Sequence, residues 1–348
     1  MIRETAPKRL RSDSVTLPAP GRCGYDRRMR VLIVGGTKFV GRHLTEAALA
    51  AGHEVTLLHR GRTNPDLFPQ AQHLLADRNE DLSVLAGHRF DATVDVTGFH
   101  PDQITSLAQA LDGRGGHYTF VSTVSAYAPP AGPGFTEDAP LLEHTGPVTG
   151  VAVTGETYGS MKVLCERRAR DLFGPELLIV RPTYVVGPWD PYGRLDYWAQ
   201  RLARGGQVLA PGDPALPTQV IDARDQAAWM VRMLGRGGVF HTVTPSVPLA
   251  DLLDELAGEF APAGTTLTWV DDAFLGERGV DGTLLPLWAG GIADDYWAGA
   301  ADPAAVVAAG LVTRPVVESA RDVLATALTD RVLAAERESE LLAAWASR

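Results

Sequence analysis

Cysteine and lysine are both scarce in this sequence of 348 residues. The two cysteines, Cys23 and Cys165, lie far apart and match neither the spacing of a zinc site nor a disulfide framework. This scarcity excludes a cysteine-rich metal or redox protein and is typical of a reducing compartment. We therefore expect a cytoplasmic protein without a metal site.

The sequence also lacks a long apolar run. No stretch approaches the roughly 18 apolar residues that indicate a membrane-spanning helix, so we expect no membrane partner. The formal net charge is −10, which disfavours a nucleic-acid partner because phosphate contacts need a basic face. A small-molecule substrate is the predicted partner, and the chain is expected to be a monomer or a homodimer.

The first 28 residues are polar, rich in arginine and without hydrophobic periodicity. This composition predicts a disordered extension over residues 1–28, and the apolar stretch of a secretory signal is missing. The first strand-like run, "RVLIVGG", follows Met29 directly. We expect the folded protein to begin there.

From Met29 onward, apolar and β-branched runs alternate with helical patterns. Such alternation predicts an α/β fold, a Rossmann-type doubly wound parallel sheet with its ligand at the carboxyl ends of the strands. Later parts of the chain are rich in proline and glycine or read mainly as helices. We assign 29–187 and 221–245 to an NAD(P)-binding domain, and 188–220 and 246–348 to a smaller C-terminal substrate lobe.

A glycine-rich turn, "GGTKFVG", follows the first strand and leads directly into a helix. Glycines permit a tight turn, and the helix N-terminus offers backbone amides to a pyrophosphate. Lys38, one of only three lysines, stands where such motifs usually have their central glycine; its ammonium either contacts a phosphate or points to solvent. The predicted cofactor-binding residues of this turn are Gly35, Gly36, Thr37, Lys38, Phe39, Val40 and Gly41.

The end of the second strand predicts which dinucleotide is bound. NAD-specific proteins usually place a carboxylate there, whereas this strand ends "LLHRGR". Arg60 can pair with a 2′-phosphate, so NADP(H) is the preferred cofactor and NAD(H) the open alternative. Asp77 ends the third strand, where its carboxylate could accept a hydrogen bond from an adenine amino group. Arg78 follows it directly. Both are predicted to contact the cofactor.

Tyr158 and Lys162 are four residues apart in the segment "ETYGSMKVLCE". On a helix the two side chains share one face. An ammonium beside a phenol favours the phenolate and lowers its pKa, which suits a tyrosine to acid and base catalysis near neutral pH. The spacing therefore predicts a catalytic pair.

The chain now resembles the extended branch of the short-chain dehydrogenase/reductase superfamily, of the NAD(P)-dependent epimerase/dehydratase type. The segments that carry the likeness are "GGTKFVG", "FVSTVSAY", "YGSMK", "RPTYVVGP" and "IDARDQA". The resemblance implies that Tyr158 transfers a proton, that Lys162 binds the nicotinamide ribose, and that Thr123 orients the substrate oxygen. It further implies nicotinamide contacts at Pro182 and Thr183 and substrate contacts at Ser125 and Arg194.

The turn with Lys38 and the missing acid after the second strand differ from the sugar-nucleotide epimerases. They are similar to an atypical subset that includes chloroplast stem-loop RNA-binding-like proteins and bacterial reductase-like relatives. We predict an NADP(H)-dependent oxidoreductase that acts on a carbonyl or secondary alcohol of a small molecule. A sugar or nucleotide-sugar epimerase or dehydratase, and a non-catalytic cofactor-sensing or RNA-binding protein, are the alternatives.

Overall fold

The computed structural model describes residues 27–129, 132–289, 298–326 and 333–348. The predicted N-terminal extension lies outside these ranges except for its last two residues. The strands are β1 (Arg30–Val34), β2 (Glu54–His59), β3 (Gln72–Leu75), β4 (Ala92–Asp95), β5 (His117–Val121), β6 (Leu178–Pro182), β7 (Tyr184–Val186), β8 (Gln207–Pro211), β9 (Pro217–Thr218), β10 (Val220–Asp222), β11 (Gly238–Thr242), β12 (Val247–Pro248) and β13 (Thr266–Val270). The α-helices are α1 (Phe39–Ala50), α2 (Pro101–Leu111), α3 (Gly155–Phe173), α4 (Arg194–Arg204), α5 (Ala223–Arg232), α6 (Leu249–Phe260), α7 (Asp272–Glu277), α8 (Ala304–Ala308), α9 (Val316–Leu324) and α10 (Ala335–Ala346).

Seven parallel strands form the central sheet in the order β11-β6-β5-β4-β1-β2-β3. The predicted doubly wound parallel sheet is confirmed, and β11 is one of its edge strands. From β1, the strands β2 and β3 are added on one side of the sheet, and β4, β5, β6 and β11 are added on the other, so the strand order reverses between β1 and β4. A crevice opens at such a switch point, outside the carboxyl ends of the strands.

Helices cover both faces of the sheet because successive side chains of a buried strand point to opposite faces. Val31 and Ile33 of β1 belong to the apolar cluster under α1 and α5, whereas Leu32 and Val34 belong to the cluster under α2 and α3. The helix packing on the second face holds α3, with Tyr158 and Lys162, against the sheet. Both candidate catalytic side chains are thereby tied to the strand ends.

A third apolar cluster lies among α4, α6, α9, α10 and the strand β8. The prediction that the chain after residue 246 is mainly helical is wrong at β13, which pairs in parallel with β8. The run "TLTWV" is short and has no neighbouring strand signal, and its partner precedes it by 59 residues, from Gln207 to Thr266. Among the described residues, no helix combines the length and apolar character needed to cross a membrane.

Candidate functional site

Two cavities open at the carboxyl edge of the sheet, on either side of the glycine-rich turn. The one we name the tyrosine cavity has a volume of about 390 Å³, and the one we name the arginine cavity about 300 Å³. The tyrosine cavity is defined by Phe39, Thr123, Tyr158, Lys162, Pro182 and Arg194. The arginine cavity is defined by Gly35, Lys38, Arg60, Arg62, Asp77 and Arg78.

Close packing of backbone explains the glycines of the turn. Gly35 has φ +95°, a region that side chains disfavour, and an added Cβ would collide with Thr97. A Cβ on Gly41 would collide with the Gly35 carbonyl oxygen, so the helix can begin this close to the strand only with glycine there. Gly36 meets Leu57 in the same way. Gly36 and Gly41 therefore allow the turn to pack closely against the strand and helix, and Gly35 lines the arginine cavity.

The remaining residues of the turn are divided between the two cavities. Thr37 and the exposed Lys38 line the arginine cavity, and Lys38 is the N-cap of α1. Phe39, with φ +40°, and Val40 line the tyrosine cavity. One turn thus contributes to both compartments, as expected of a segment that contacts the middle of a dinucleotide.

The arginine cavity carries an excess of positive charge. Lys38, Arg60 and Arg62 line it, and the acid among its described lining residues is Asp77, whose Oδ2 lies 3.9 Å from Nη1 of Arg60. The Arg60 side chain is 56% exposed, so this ion pair is weak. An anionic ligand can therefore compete with Asp77 for the guanidinium.

Hydrogen bonds attach the loop that follows β2 to the glycine-rich turn. The Thr37 hydroxyl donates to the Thr63 carbonyl at 2.8 Å, and the Asn64 amide donates to the Thr37 carbonyl at 3.0 Å. Arg60 and Arg62 belong to this loop. Their backbone is thus held beside the glycine-rich turn and does not depend on a ligand for its position.

Arg78 lines the same cavity but already has a strong internal partner. Its guanidinium donates to both carboxylate oxygens of Asp95, at 2.7 and 2.8 Å, and the Tyr118 hydroxyl donates to Asp95 at 2.9 Å. Burial by itself would raise the pKa of Asp95, but the charge and hydrogen bonds of Arg78 outweigh it and lower that pKa. Arg78 therefore brings little net charge to a cofactor, in contrast to Arg60.

Tyr158 and Lys162 line the tyrosine cavity from one face of α3, as their spacing predicts. Helix α3 begins behind Thr154, whose hydroxyl caps the Thr157 amide. The Lys162 ammonium donates to the carbonyls of Gly98 at 2.7 Å and Val121 at 2.6 Å. Burial lowers the pKa of Lys162 to about 8.

The expectation that Lys162 lowers the pKa of Tyr158 is not met in this structure. Burial raises the pKa of the Tyr158 phenol, and a hydrogen bond with the Thr123 side chain opposes that rise only in part. The Lys162 charge is directed to two backbone carbonyls instead of the phenol. Tyr158 is therefore protonated at neutral pH.

Thr123 follows β5 and brings its hydroxyl to Tyr158. Its Oγ1 accepts from the Ser125 amide at 3.1 Å and donates to the Ser125 hydroxyl at 3.2 Å, which fixes its direction. Ser122 lines the same wall, and its buried hydroxyl has no hydrogen-bond partner among the described residues. The loop thus presents three hydroxyls beside one phenol.

Pro182 and Thr183 lie at the end of β6 and line the tyrosine cavity, and Arg194 lines it from the start of α4. The Arg194 guanidinium donates to the Val185 carbonyl at 3.1 Å and pairs with Asp190 at 3.0 Å. All predicted residues of the catalytic and substrate end therefore share one compartment. Their roles in catalysis and binding stay predictions.

Phe99 lines the cavities but is not among the candidate residues that the sequence motifs indicate. It lines both cavities, its ring centre lies 6.4 Å from that of Tyr158, and Nζ of Lys162 lies 5.2 Å from its ring centre. Its position after β4, next to the switch point, is a signal that could have identified it. The neighbouring His100 caps α2, as its place before Pro101 suggests.

A buried polar network behind the tyrosine cavity also escaped the sequence reading. Arg181, next to Pro182, forms a two-point ion pair with Glu166 of α3, at 3.0 and 2.6 Å, and donates to the Tyr127 hydroxyl. Tyr127 also hydrogen-bonds His241 of β11. Because these partners come from α3, β6, β11 and the loop after β5, the network ties α3 to the end of β6.

The sequence pattern of the NAD dependent epimerase/dehydratase family matches residues 31–243. Among curated relatives, "Chloroplast stem-loop binding protein of 41 kDa b, chloroplastic" of Arabidopsis thaliana is 26% identical over 59% of this chain and 55% of its own length. "Bifunctional pinoresinol-lariciresinol reductase" of Forsythia intermedia is 48% identical over 17% and 19%. The chain thus spans about half, or less, of the length of these two relatives.

A solved structure with a similar fold is the Bordetella bronchiseptica enzyme WbmG in complex with NAD and UDP. It superposes with a TM-score of 0.62 at 19% identity, covering 86% of this chain and 94% of that one. At this identity the likeness concerns the fold. Within the described residues, no group of three or more histidine, cysteine or acidic side chains could hold a metal ion.

Proposed function

This chain belongs to the NAD dependent epimerase/dehydratase family, and we propose that it is an NADP(H)-dependent oxidoreductase acting on a carbonyl or secondary alcohol of a small molecule. The observation that carries the proposal is the meeting of Tyr158, Lys162 and Thr123 in one cavity at the carboxyl edge of the sheet. The second cavity, beyond the shared glycine-rich turn, supplies the room for the adenosine half of a dinucleotide.

The chain's residues divide the work of carbonyl reduction. A bound nicotinamide cofactor would supply hydride chemistry at the carbonyl carbon. Tyr158 donates its phenolic proton to the carbonyl oxygen. Thr123 orients that oxygen, since its hydroxyl is fixed by Ser125 and lies at Tyr158. Lys162 would hold the ribose, and the Thr123 hydroxyl, whose hydrogen bond opposes the rise in the pKa of Tyr158, stabilises the phenolate left after proton transfer. Alcohol oxidation reverses each transfer.

The protonation states suit reduction at neutral pH. A raised pKa keeps Tyr158 protonated before the reaction, as a general acid must be. Lys162, with a pKa of about 8, is mainly charged at pH 7 and would donate to the ribose as an ammonium. Proton return from solvent then resets the phenol.

Preference for NADP(H) is supported by the charges around the arginine cavity. Lys38, Arg60 and Arg62 face one competing acid, Asp77, and β2 ends on His59 without the carboxylate that would bind a ribose 2′-hydroxyl. The 2′-phosphate of NADP(H) is a strong acceptor for guanidinium donors. Asp77 also remains a candidate partner for the adenine amino group.

Two other functions deserve separate tests. An epimerase or dehydratase would use the same residues but return the hydride to its substrate, so its cofactor would not be consumed. The stem-loop binding relative raises RNA as a ligand. The net charge of −10 argues against that ligand because RNA contacts require phosphate neutralisation.

The decisive experiment follows the absorbance of reduced nicotinamide while the protein acts on a series of small aldehydes and ketones. We expect stoichiometric NADPH oxidation with at least one of them and its loss in Tyr158→Phe, with NADPH affinity retained. Tyr192→Phe is the matched control, because this exposed tyrosine lines the same cavity. Undiminished turnover in Tyr158→Phe would overturn the mechanism, and catalytic conversion without NADPH loss would favour an epimerase.

A further inference from the structure

The tyrosine cavity has an unusual charge balance. Among its described lining residues, the charged ones are Lys162 and Arg194, and both are already engaged within the chain. Among the described lining residues, a substrate therefore meets Arg194, which is paired with Asp190, and Lys162, which is bonded to two backbone carbonyls.

Asp190 is the reason why Arg194 offers no net charge. Its carboxylate accepts from the Arg194 guanidinium at 3.0 and 3.2 Å and from the Arg194 backbone amide at 3.1 Å. It also accepts from the Tyr192 amide at 3.0 Å, and its side chain is only 4% exposed. Asp190 thus occupies the anion position at the N-terminus of α4.

The rest of the cavity wall is largely apolar and ring-bearing. Phe39, Phe99, Tyr184 and Tyr192 line it together with Leu216 and Leu287. The Arg194 guanidinium carbon lies 4.6 Å from the Tyr192 ring centre, so the arginine contributes a flat, stacked surface as well as hydrogen-bond donors. Such walls favour a substrate with an apolar, ring-containing structure over a strongly hydrated one.

The volume of the tyrosine cavity also favours a small, uncharged substrate. The cavity of about 390 Å³ lies near the lower end of the range of about 300 to 1,000 Å³ for ligand pockets. If the proposed function holds, the nicotinamide end of the cofactor takes part of this volume, because Pro182 and Thr183 line it. A substrate bearing a nucleoside diphosphate would need both more room and cations for its two phosphates.

We propose that the substrate is an uncharged, predominantly apolar carbonyl compound with a ring-containing body, and that Asp190, which lies outside the described cavity lining, disfavours anionic substrates by neutralising Arg194. The inference rests on the proposed function and deepens it. Arg194 then acts as a neutralised donor to a substrate oxygen. The discrimination is a form of selection against the wrong ligand, since an added carboxylate or phosphate would meet an arginine whose charge Asp190 already neutralises.

Binding to the NADP⁺-loaded protein tests this directly, by calorimetric titration with acetophenone, its carboxylated analogue 4-acetylbenzoate, and UDP. We expect acetophenone to bind at least about tenfold more tightly than 4-acetylbenzoate, with UDP weaker still. Tighter or equal binding of 4-acetylbenzoate or UDP overturns the inference, and so does the absence of any binding of the neutral ketone. Failure to oxidise NADPH despite ketone binding contradicts the proposed function alone.

Two substitutions sharpen the test. Asp190→Asn should raise the affinity for 4-acetylbenzoate about tenfold while changing that for acetophenone little, because it removes the negative charge that neutralises Arg194. Asp271→Asn is the matched control, since Asp271 caps α7 and pairs with Arg348 outside the cavity lining. If the Asp190 variant does not fold, Arg194→Gln replaces it. A tenfold selective loss of carboxylate binding in Arg194→Gln would overturn the inference, and a change below about threefold would support it.

Discussion

Replacing Arg60 by alanine should weaken NADPH binding and leave NADH binding nearly unchanged. A hydrogen bond to a charged group is worth about 1.5 to 3 kcal/mol, but Arg60 is 56% exposed and already lies near Asp77. Solvent screening therefore reduces the expected contribution to about 1 kcal/mol. The ratio of NADPH to NADH affinity should fall about fivefold.

Asp77→Asn should change the same ratio in the opposite direction. The substitution keeps an oxygen that can accept from adenine but removes the charge that competes for Arg60 at 3.9 Å. Lys38→Gly should lower the ratio, because Lys38 lines the same cavity and makes no ion pair within the described ranges. A lower ratio in Arg60→Ala and Lys38→Gly together with a higher ratio in Asp77→Asn would separate an electrostatic effect from a distorted pocket.

Fluorescence titration with NADPH and NADH, at low and at physiological ionic strength, measures the ratio. The effect should shrink with salt, since exposed charges are screened over about 8 Å at 0.15 M. Arg89→Ala is the matched control, an exposed arginine that precedes β4 and lies outside the arginine cavity. An unchanged ratio in both Arg60→Ala and Lys38→Gly would refute a 2′-phosphate site at this cavity.

Three further predictions concern stability. Asp95→Asn should lower the free energy of unfolding by about 3 to 5 kcal/mol in denaturant titrations, because it leaves the Arg78 charge buried and unpaired. Since the pKa of Asp95 is lowered on folding, its contribution should be present above about pH 4 and be lost as the pH falls through the folded value. Folding lowers the pKa of Lys162 to about 8, so between about pH 8 and 10 the unfolded chain binds one more proton than the native chain. From pH 7 to pH 10, the free energy of unfolding should therefore rise by about 2 kcal/mol relative to that of Lys162→Met. A difference that stays constant with pH would contradict this. Gly41→Ala should cost about 1 to 3 kcal/mol and abolish cofactor binding, whereas Gly258→Ala, in α6 with open space around it, should be neutral or stabilising in thermal unfolding.

The buried network around Arg181 shows why local spacing could not reveal every contributor to the site. Tyr127 and His241 are 114 residues apart, yet their side chains hydrogen-bond. Each residue by itself reads as an ordinary strand or loop position. Only the packing of β5, β6, β11 and α3 brings their polar groups together.

Features that depend on neighbouring residues could be read from the sequence alone. The alternation of strands and helices predicts the sheet, the turn "GGTKFVG" predicts close backbone approach, and four-residue spacing places Tyr158 and Lys162 on one helix face. Each follows from backbone geometry over at most a few turns of chain. None of them required knowledge of what lies across the fold.

Only the tertiary structure decided which charges are free. Arg60 and Arg78 look alike in sequence, yet Arg78 is bound to Asp95 while Arg60 stays open to a ligand. Arg194 suggests an anion site until the buried Asp190 beside it is seen. The net charge a site offers depends on burial and on partners that folding brings into contact, and residue identity at a given spacing does not encode either.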